Sequence, residues 1–132
     1  STEVTRTKIL EYRVSNLEER YKTILEAMQD SVYVVDPQSR YKYMNSHHQK
    51  RLGITGDYIG TEYGEYHDPA TTSRFLTHVQ KVVETKKPIC ERYETNTGKI
   101  IRTYSPVIDP VNQTVGEIVV ISIEPDNRIE NI

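Results

Sequence analysis

The sequence predicts one α+β domain, a leading helix followed by an antiparallel sheet with further helices packed on it. Three observations carry this. Apolar residues repeat with a helical period as far as Met28 and with a strand-like period from Ser31 onwards. Strand-like runs come first as a pair and then as a trio, with helical segments between them. Short turn-forming segments, "DPQS" and "NTGK", separate runs that can therefore pair as hairpins. A chain of 132 residues has room for one core that folds without staples, and a second domain is not expected. The expected layout is a linker helix at 1–28, a domain at 29–124 and a tail at 125–132.

Leu10, Val14, Leu17, Tyr21, Ile24 and Met28 alternate spacings of four and three, the a/d pattern of a heptad, which predicts one helix over 3–29. With Val14 at a, Arg13 falls at g and Glu18 at the following e, a pair able to bridge two parallel chains. A homodimer through this helix is expected. The alternative is an amphipathic helix lying on its own domain. "SVYVV" and "RYKYM" then read as a hairpin around "DPQS". Asn45 precedes a helical segment, "SHHQKRL", that Gly53 ends, so Asn45 is expected to cap it. "GDYIGTEYGEYH" predicts one or two single-turn helices. Asp68 and Pro69 supply an N-cap and a first-turn proline for a longer helix, with Phe75, Val79, Val82 and Val83 along one side, which stops before Pro88. "ICERYET", "IIRTYSPV" and "VGEIVVISI" complete the strands, with "DPVNQT" looping between the last two.

Composition narrows the function. Charged residues make up 27% with a net charge of −2, which calls for neither nucleic acid nor an acidic membrane surface. No apolar run approaches a bilayer-spanning length and no signal pattern is visible, so the fragment is expected to be cytoplasmic, or the cytoplasmic part of a membrane-bound sensor. The lone cysteine, Cys90, excludes an internal disulfide and suits a reducing compartment; with no activating base beside it, it reads as a structural thiol. The Asn112–Gln113–Thr114 sequon reads as a loop coincidence. Ten tyrosines stand against one phenylalanine and no tryptophan. A buried tyrosine needs a partner for its hydroxyl, so such an interior suits a polar cavity better than a dry core.

No metal site is expected. His47 and His48 are adjacent and point about 100° apart on a helix, whereas chelation needs spacings of three or four. They read as exposed or packing side chains. His78, on the long helix, could face a cavity as a haem ligand, but a lone helical histidine is more often interfacial, and haem is disfavoured. Nucleophile elbows, phosphate loops and zinc-protease motifs do not occur, so catalysis by the domain is not expected.

Taken in order, "ILEAMQDSVYVVD", "YMNSHHQKRLGIT", "YIGTEYGEYHDP" and "TGKIIRTYSPVIDPVNQTVGEIVVISI" resemble the PAS sensory domain family over about residues 20 to 124. The resemblance implies a five-stranded antiparallel sheet in order 2-1-5-4-3, with helices over one face enclosing a small cavity. Asn45 then both caps a helix and links strand two to the pocket. The family often ends on an Asp-Ile-Thr triplet; this chain has Ser122-Ile123-Glu124, which puts that coupling contact in doubt. Neither the cysteine run of flavin photosensors nor a pocket tryptophan occurs, so flavin is disfavoured as well.

If the family register holds, strand parity turns Tyr33, Tyr93, Arg102 and Tyr104 inward. A buried guanidinium among phenols suits a carboxylate, so the expected ligand is a small organic acid, with Tyr33, Asn45, His78, Tyr93, Arg102 and Tyr104 as candidate binding residues. The alternative puts Arg102 on the outer face or pairs it with Glu91 or Glu94. The resulting expectation is a signalling module of a larger regulatory protein, foremost a sensor histidine kinase, with its output domain in the same chain. Two rivals stand beside it: a dimerisation module without a ligand, and a small ketosteroid-isomerase-like α+β enzyme using a carboxylate base and a phenol.

Overall fold

The computed structural model describes residues 2–96 and 98–123, and of residues 2–4, Tyr12, Val14, Ser15 and Thr95 the backbone alone. Val14 of the expected heptad thus lies outside the described side chains. Glu124 and the expected tail at 125–132 lie outside the described residues.

Helix α1 (Thr2–Ala27) stops two residues short of the expected end. The reason lies in its last turn, where the Leu25 carbonyl is bonded by the side-chain amide of Asn45 at 3.0 Å and the chain turns towards the sheet. Leu10, Leu17, Tyr21 and Ile24 are 46–62% exposed. The alternative of a helix lying on its own domain is therefore corrected: among the described side chains, only Leu25 and Glu26 of α1, and Met28 just after it, are half-buried.

Strands β1 (Ser31–Val35), β2 (Tyr41–Met44), β3 (Ile89–Thr95), β4 (Gly98–Ile108) and β5 (Val115–Ile123) form one sheet in the order β2-β1-β5-β4-β3, antiparallel throughout. The β1–β2 turn is held by the Asp36 carboxylate, which accepts from the backbone N–H groups of Gln38 and Arg40 at 2.9 Å each. This self-bonding is why Asp favours turns. Ser39 takes the left-handed conformation that the tight return requires. Residue Arg40, expected within the strand, forms only an isolated bridge to Glu62.

The helices cover one face. Helix α2 (Ser46–Leu52) is capped by Asn45 and closed by Gly53 at φ 71°, a conformation that glycine adopts at no steric cost. A single 3-10 turn (Tyr63–Glu65) follows. Helix α3 (Pro69–Thr85) opens on Asp68, whose carboxylate accepts from Thr71 N at 2.7 Å, with Pro69 in the first turn where its missing N–H costs nothing. Phe75, Val79 and Val82 of α3 are buried against Tyr33, Val35, Tyr104, Ile118 and Val120 of the sheet, and Val83 packs at the edge of this core. No helix among the described residues is long and apolar enough to cross a membrane.

Cys90 is exposed on β3, an edge strand, so the expectation of a structural thiol is corrected. Its neighbours Ile89 and Glu91 turn inward, and the pleat sends Cys90 outward.

Candidate functional site

The inner face of the sheet is apolar except for one row. Register sets Glu91 of β3 opposite Arg102 of β4, Arg102 opposite Ser122 of β5, and Ser122 opposite Ser31 of β1. These four polar residues cross four strands at one level. The rows beside them carry Ile89, Tyr104, Val120 and Tyr33 on one side and Tyr93 and Ile100 on the other. A cavity of about 280 Å³ stands over the polar row. That volume lies just below the range typical of drug-sized ligands and suits a small metabolite.

The sheet contributes Tyr33, Tyr93, Arg102 and Ser122 to its lining. Helix α2 contributes His48, Arg51 and Leu52, and the approach to α3 and its first turns add His67, Thr71 and Arg74. Arg102 is only 7% exposed. Its Nη1 lies 3.9 Å from Glu91 Oε1, and its Nε makes no hydrogen bond within the protein. Burial works against the guanidinium's charge, but an arginine side chain does not give up its proton near neutral pH, and Arg102 stays protonated. Conversely, burial holds the phenols of Tyr33, Tyr63 and Tyr104 above their ordinary range against the pull of Arg102, so they remain O–H groups at neutral pH. Ser122 Oγ and both ring nitrogens of His48 are also buried without a partner. A buried polar group left unpaired costs about 1–3 kcal/mol, so this convergence marks where a polar ligand or ordered water completes the structure.

Of the residues expected at the site, Tyr33 lies on the cavity floor beneath His48, their rings stacked at 4.3 Å. Tyr93 lines the cavity, with the guanidinium of Arg74 4.5 Å and that of Arg102 5.5 Å from its ring centroid. Tyr104 donates to Glu91 Oε1 at 3.0 Å and stacks on His78 at 5.2 Å. His78 stands behind Glu91, its Nε2 3.6 Å from Oε2, while its Nδ1 faces the Arg74 carbonyl at 2.8 Å. It adjoins the cationic cluster without lining the cavity. The alternative for Arg102 divides: the side chain points inward, and Glu91 rather than exposed Glu94 lies beside it.

Asn45, His78 and Tyr104 are the expected site residues absent from the cavity lining, and of these Asn45 belongs to a different set of contacts altogether. Its Oδ1 accepts from Val32 N and His48 N, both at 3.1 Å, and its Nδ2 donates to the carbonyls of Leu25 at 3.0 Å and Asp30 at 2.9 Å. A side-chain amide has two donors and two acceptor sites, so none remains for a ligand. Asn45 instead ties α1, β1 and α2 together. Glu26 reinforces the tie, accepting from Tyr43 Oη at 2.8 Å, from Ser46 N at 3.0 Å and from Ser46 Oγ. These contacts, that with Ser46 above all, hold the Glu26 carboxyl below its ordinary range.

Sequence reasoning passed over Arg51, Arg74 and Ser122, gave Glu91 only as an alternative partner for Arg102, and read His48 as an exposed or packing side chain without placing it at the cavity. For His48 a signal existed: it lies four residues before Leu52, so the pair shares a helix face, and the apolar member marks that face as inward. His47 points out to solvent. Burial, helped by the positive charges of His67, Arg51 and Arg102, pushes His48 down to about 3 from its ordinary 6.5. The folded protein therefore holds it neutral while the unfolded chain protonates it below pH 6.5. Its contribution to stability is full above that pH and is lost as pH falls towards 3, at about 1.4 kcal/mol per unit. His48→Phe, which keeps a ring against Tyr33, is expected to flatten this part of the stability–pH curve. Parallel curves for the two proteins between pH 6.5 and 5 would assign the acid sensitivity elsewhere.

The antiparallel sheet with helices over one face and a small polar cavity between them defines a class of α+β modules. A family profile described as PAS fold matches residues 25–129. The chain belongs to the PAS family. The PAS domain from Bordetella pertussis BvgS is similar over 88% of this chain and 96% of its own, with TM-score 0.67 and 16% identity. A sensory box sensor histidine kinase from Vibrio cholerae matches over 87% and 96%, with TM-score 0.64 and 9% identity. The PAS domain of a protein from Colwellia psychrerythraea matches over 82% and 95%, with TM-score 0.62 and 22% identity. At these identities the likeness is one of fold. No curated protein matches the chain by sequence.

Proposed function

We propose that this PAS module senses a small organic anion in the cavity over Arg102 and passes the event to an output domain in the same chain. The observation that carries the reading is the Arg102 guanidinium, 7% exposed at the floor of a polar cavity with its Nε unbonded. A buried charge is costly unless paired, and a planar fork suits a carboxylate. Coupling follows from connectivity. His48 and Arg51 line the cavity on α2, and the cap of α2 is bonded to the end of α1 through Asn45 and Glu26. A ligand that shifts α2 thereby biases α1. Leu10, Leu17, Tyr21 and Ile24 make an exposed apolar stripe suited to the same helix of a second copy, with Val14 and Met28 completing the heptad. The reading makes the domain a sensor rather than a catalyst, and the kinase among its structural neighbours favours a sensor histidine kinase as host, working in the cytoplasm.

Native mass spectrometry of freshly purified protein tests both halves. A dimer is expected, with an excess mass that disappears on denaturation, and Leu17→Glu is expected to yield monomers that keep the ligand. A monomeric wild type sinks the helix pairing. A dimer that stays apo, and that no organic acid stabilises against heat, turns the reading towards a dimerisation module.

A further inference from the structure

His48 brings two ring nitrogens into the interior and bonds neither of them. Its side chain reaches the cavity from α2, stacks on Tyr33 with 4.3 Å between ring centroids, and is only 4% exposed. Two nearby histidines behave differently. His67, which lines the same cavity, has its Nδ1 3.0 Å from the Tyr63 carbonyl, and His78 has its Nδ1 2.8 Å from that of Arg74. The charges that act on His48 come from His67, Arg51, Arg102 and His47, none of them a carboxylate, and burial keeps its ring neutral. A neutral imidazole presents one N–H donor and one bare acceptor, whichever tautomer it takes. Leaving both unanswered in the interior is a cost that a partner in the cavity removes. Arg102 belongs to β4, and β5 separates it from Tyr33 of β1, on which His48 stacks. Ser122, opposite Arg102 on that intervening strand, also has a buried hydroxyl without a partner.

We propose that His48 is the specificity-determining residue of the cavity and that the ligand is a small hydroxy acid, its carboxylate on Arg102 and its hydroxyl on His48. The proposal rests on the anion-binding reading and names the class of acid. A hydroxyl both donates and accepts, so it can bond whichever nitrogen of His48 faces it and still accept from Ser122. A carbonyl oxygen answers the N–H alone. An ammonium group answers the bare nitrogen alone, and it would enter beside the Arg102 charge with no carboxylate in the described cavity lining to balance it. The hydroxyl belongs on the carbon next to the carboxylate, because the cavity measures only about 280 Å³ and Arg102 stands near enough for its charge to act on the His48 ring.

Calorimetric titration with two matched pairs, lactate against propionate and tartronate against malonate, compares acids that differ only by that hydroxyl. The wild type is expected to bind tartronate, and the better enantiomer of lactate, roughly tenfold more tightly than their parents, the worth of a hydrogen bond to an otherwise unpaired buried group. Arg102→Met is expected to weaken all four acids. His48→Phe and His48→Leu each remove both nitrogens, and either is expected to abolish the difference within each pair. No hydroxyl advantage in the wild type, with the acids still weakened by Arg102→Met, overturns the proposal and leaves the anion site standing. A hydroxyl advantage that persists in the His48 variants assigns it to another residue and overturns the role of His48. Loss of all four acids in both His48 variants makes the residue structural and overturns that role equally. Failure of all four to bind the wild type overturns both the proposal and the anion-site reading beneath it.

Discussion

Replacing Asn45 with alanine is expected to destabilise the domain by about 3–4 kcal/mol, far beyond the roughly 1 kcal/mol typical of a lost helix cap. The difference comes from where the four bonds go. Alanine leaves Val32 N, His48 N and the carbonyls of Leu25 and Asp30 without their partner at a position that is fully buried. Solvent can reach some of the orphaned groups only by opening the junction of α1, β1 and α2. Asn45→Asp separates the two roles: the acceptors for Val32 and His48 survive, while the donors to Leu25 and Asp30 are lost. An intermediate cost is expected for it. Urea unfolding checks the order, with lower midpoints and unchanged slopes. A cost near 1 kcal/mol for Asn45→Ala would reduce the residue to an ordinary cap and remove the strongest link between α1 and the cavity wall.

Arg102→Met is expected to separate binding from stability. On the proposed reading Arg102 donates to the ligand, and removing it should weaken organic-anion binding on the order of 100-fold, the usual consequence of deleting one partner of a desolvated charge pair. Unfolding free energy should stay within about 1 kcal/mol of wild type. Arg102 meets Glu91 only at 3.9 Å, and Glu91 retains Arg74, His78 and Tyr104 when it is gone. Methionine fills a similar volume without the desolvation cost of the charge. Thermal melts with and without malonate read both quantities at once. A large loss of stability with binding unchanged would make Arg102 a structural ion and move the site elsewhere.

The architecture was legible because its signals are local. A two-residue period, Asp36 and Pro37 in a turn, Asn45 ahead of a helix and Gly53 behind it each specify backbone conformation within a few residues. Strand parity likewise turned Tyr33, Tyr93, Arg102 and Tyr104 to one face, since the alternation follows from the pleat once the register is set. Asn45 shows the limit of such reasoning. Its cap was readable three residues on, at His48, but its donors run to Leu25 and Asp30, twenty and fifteen residues back. Nothing in the neighbourhood of Asn45 signals them.

The sequence by itself determined the element order and the apolar stripe of α1, because each depends on the periodicity of one segment, and with the register that the resemblance supplies it turned Tyr33, Tyr93, Arg102 and Tyr104 inward. Only the tertiary structure decided what those inward residues meet. Glu91, Arg102 and Ser122 belong to three strands, His48 to α2 and Arg74 to α3, and their meeting over one cavity is set by cross-strand register and helix packing. The same is true of charge. Arg102 is one of seventeen lysines and arginines in the sequence, and burial is what distinguishes it from the others among the described residues.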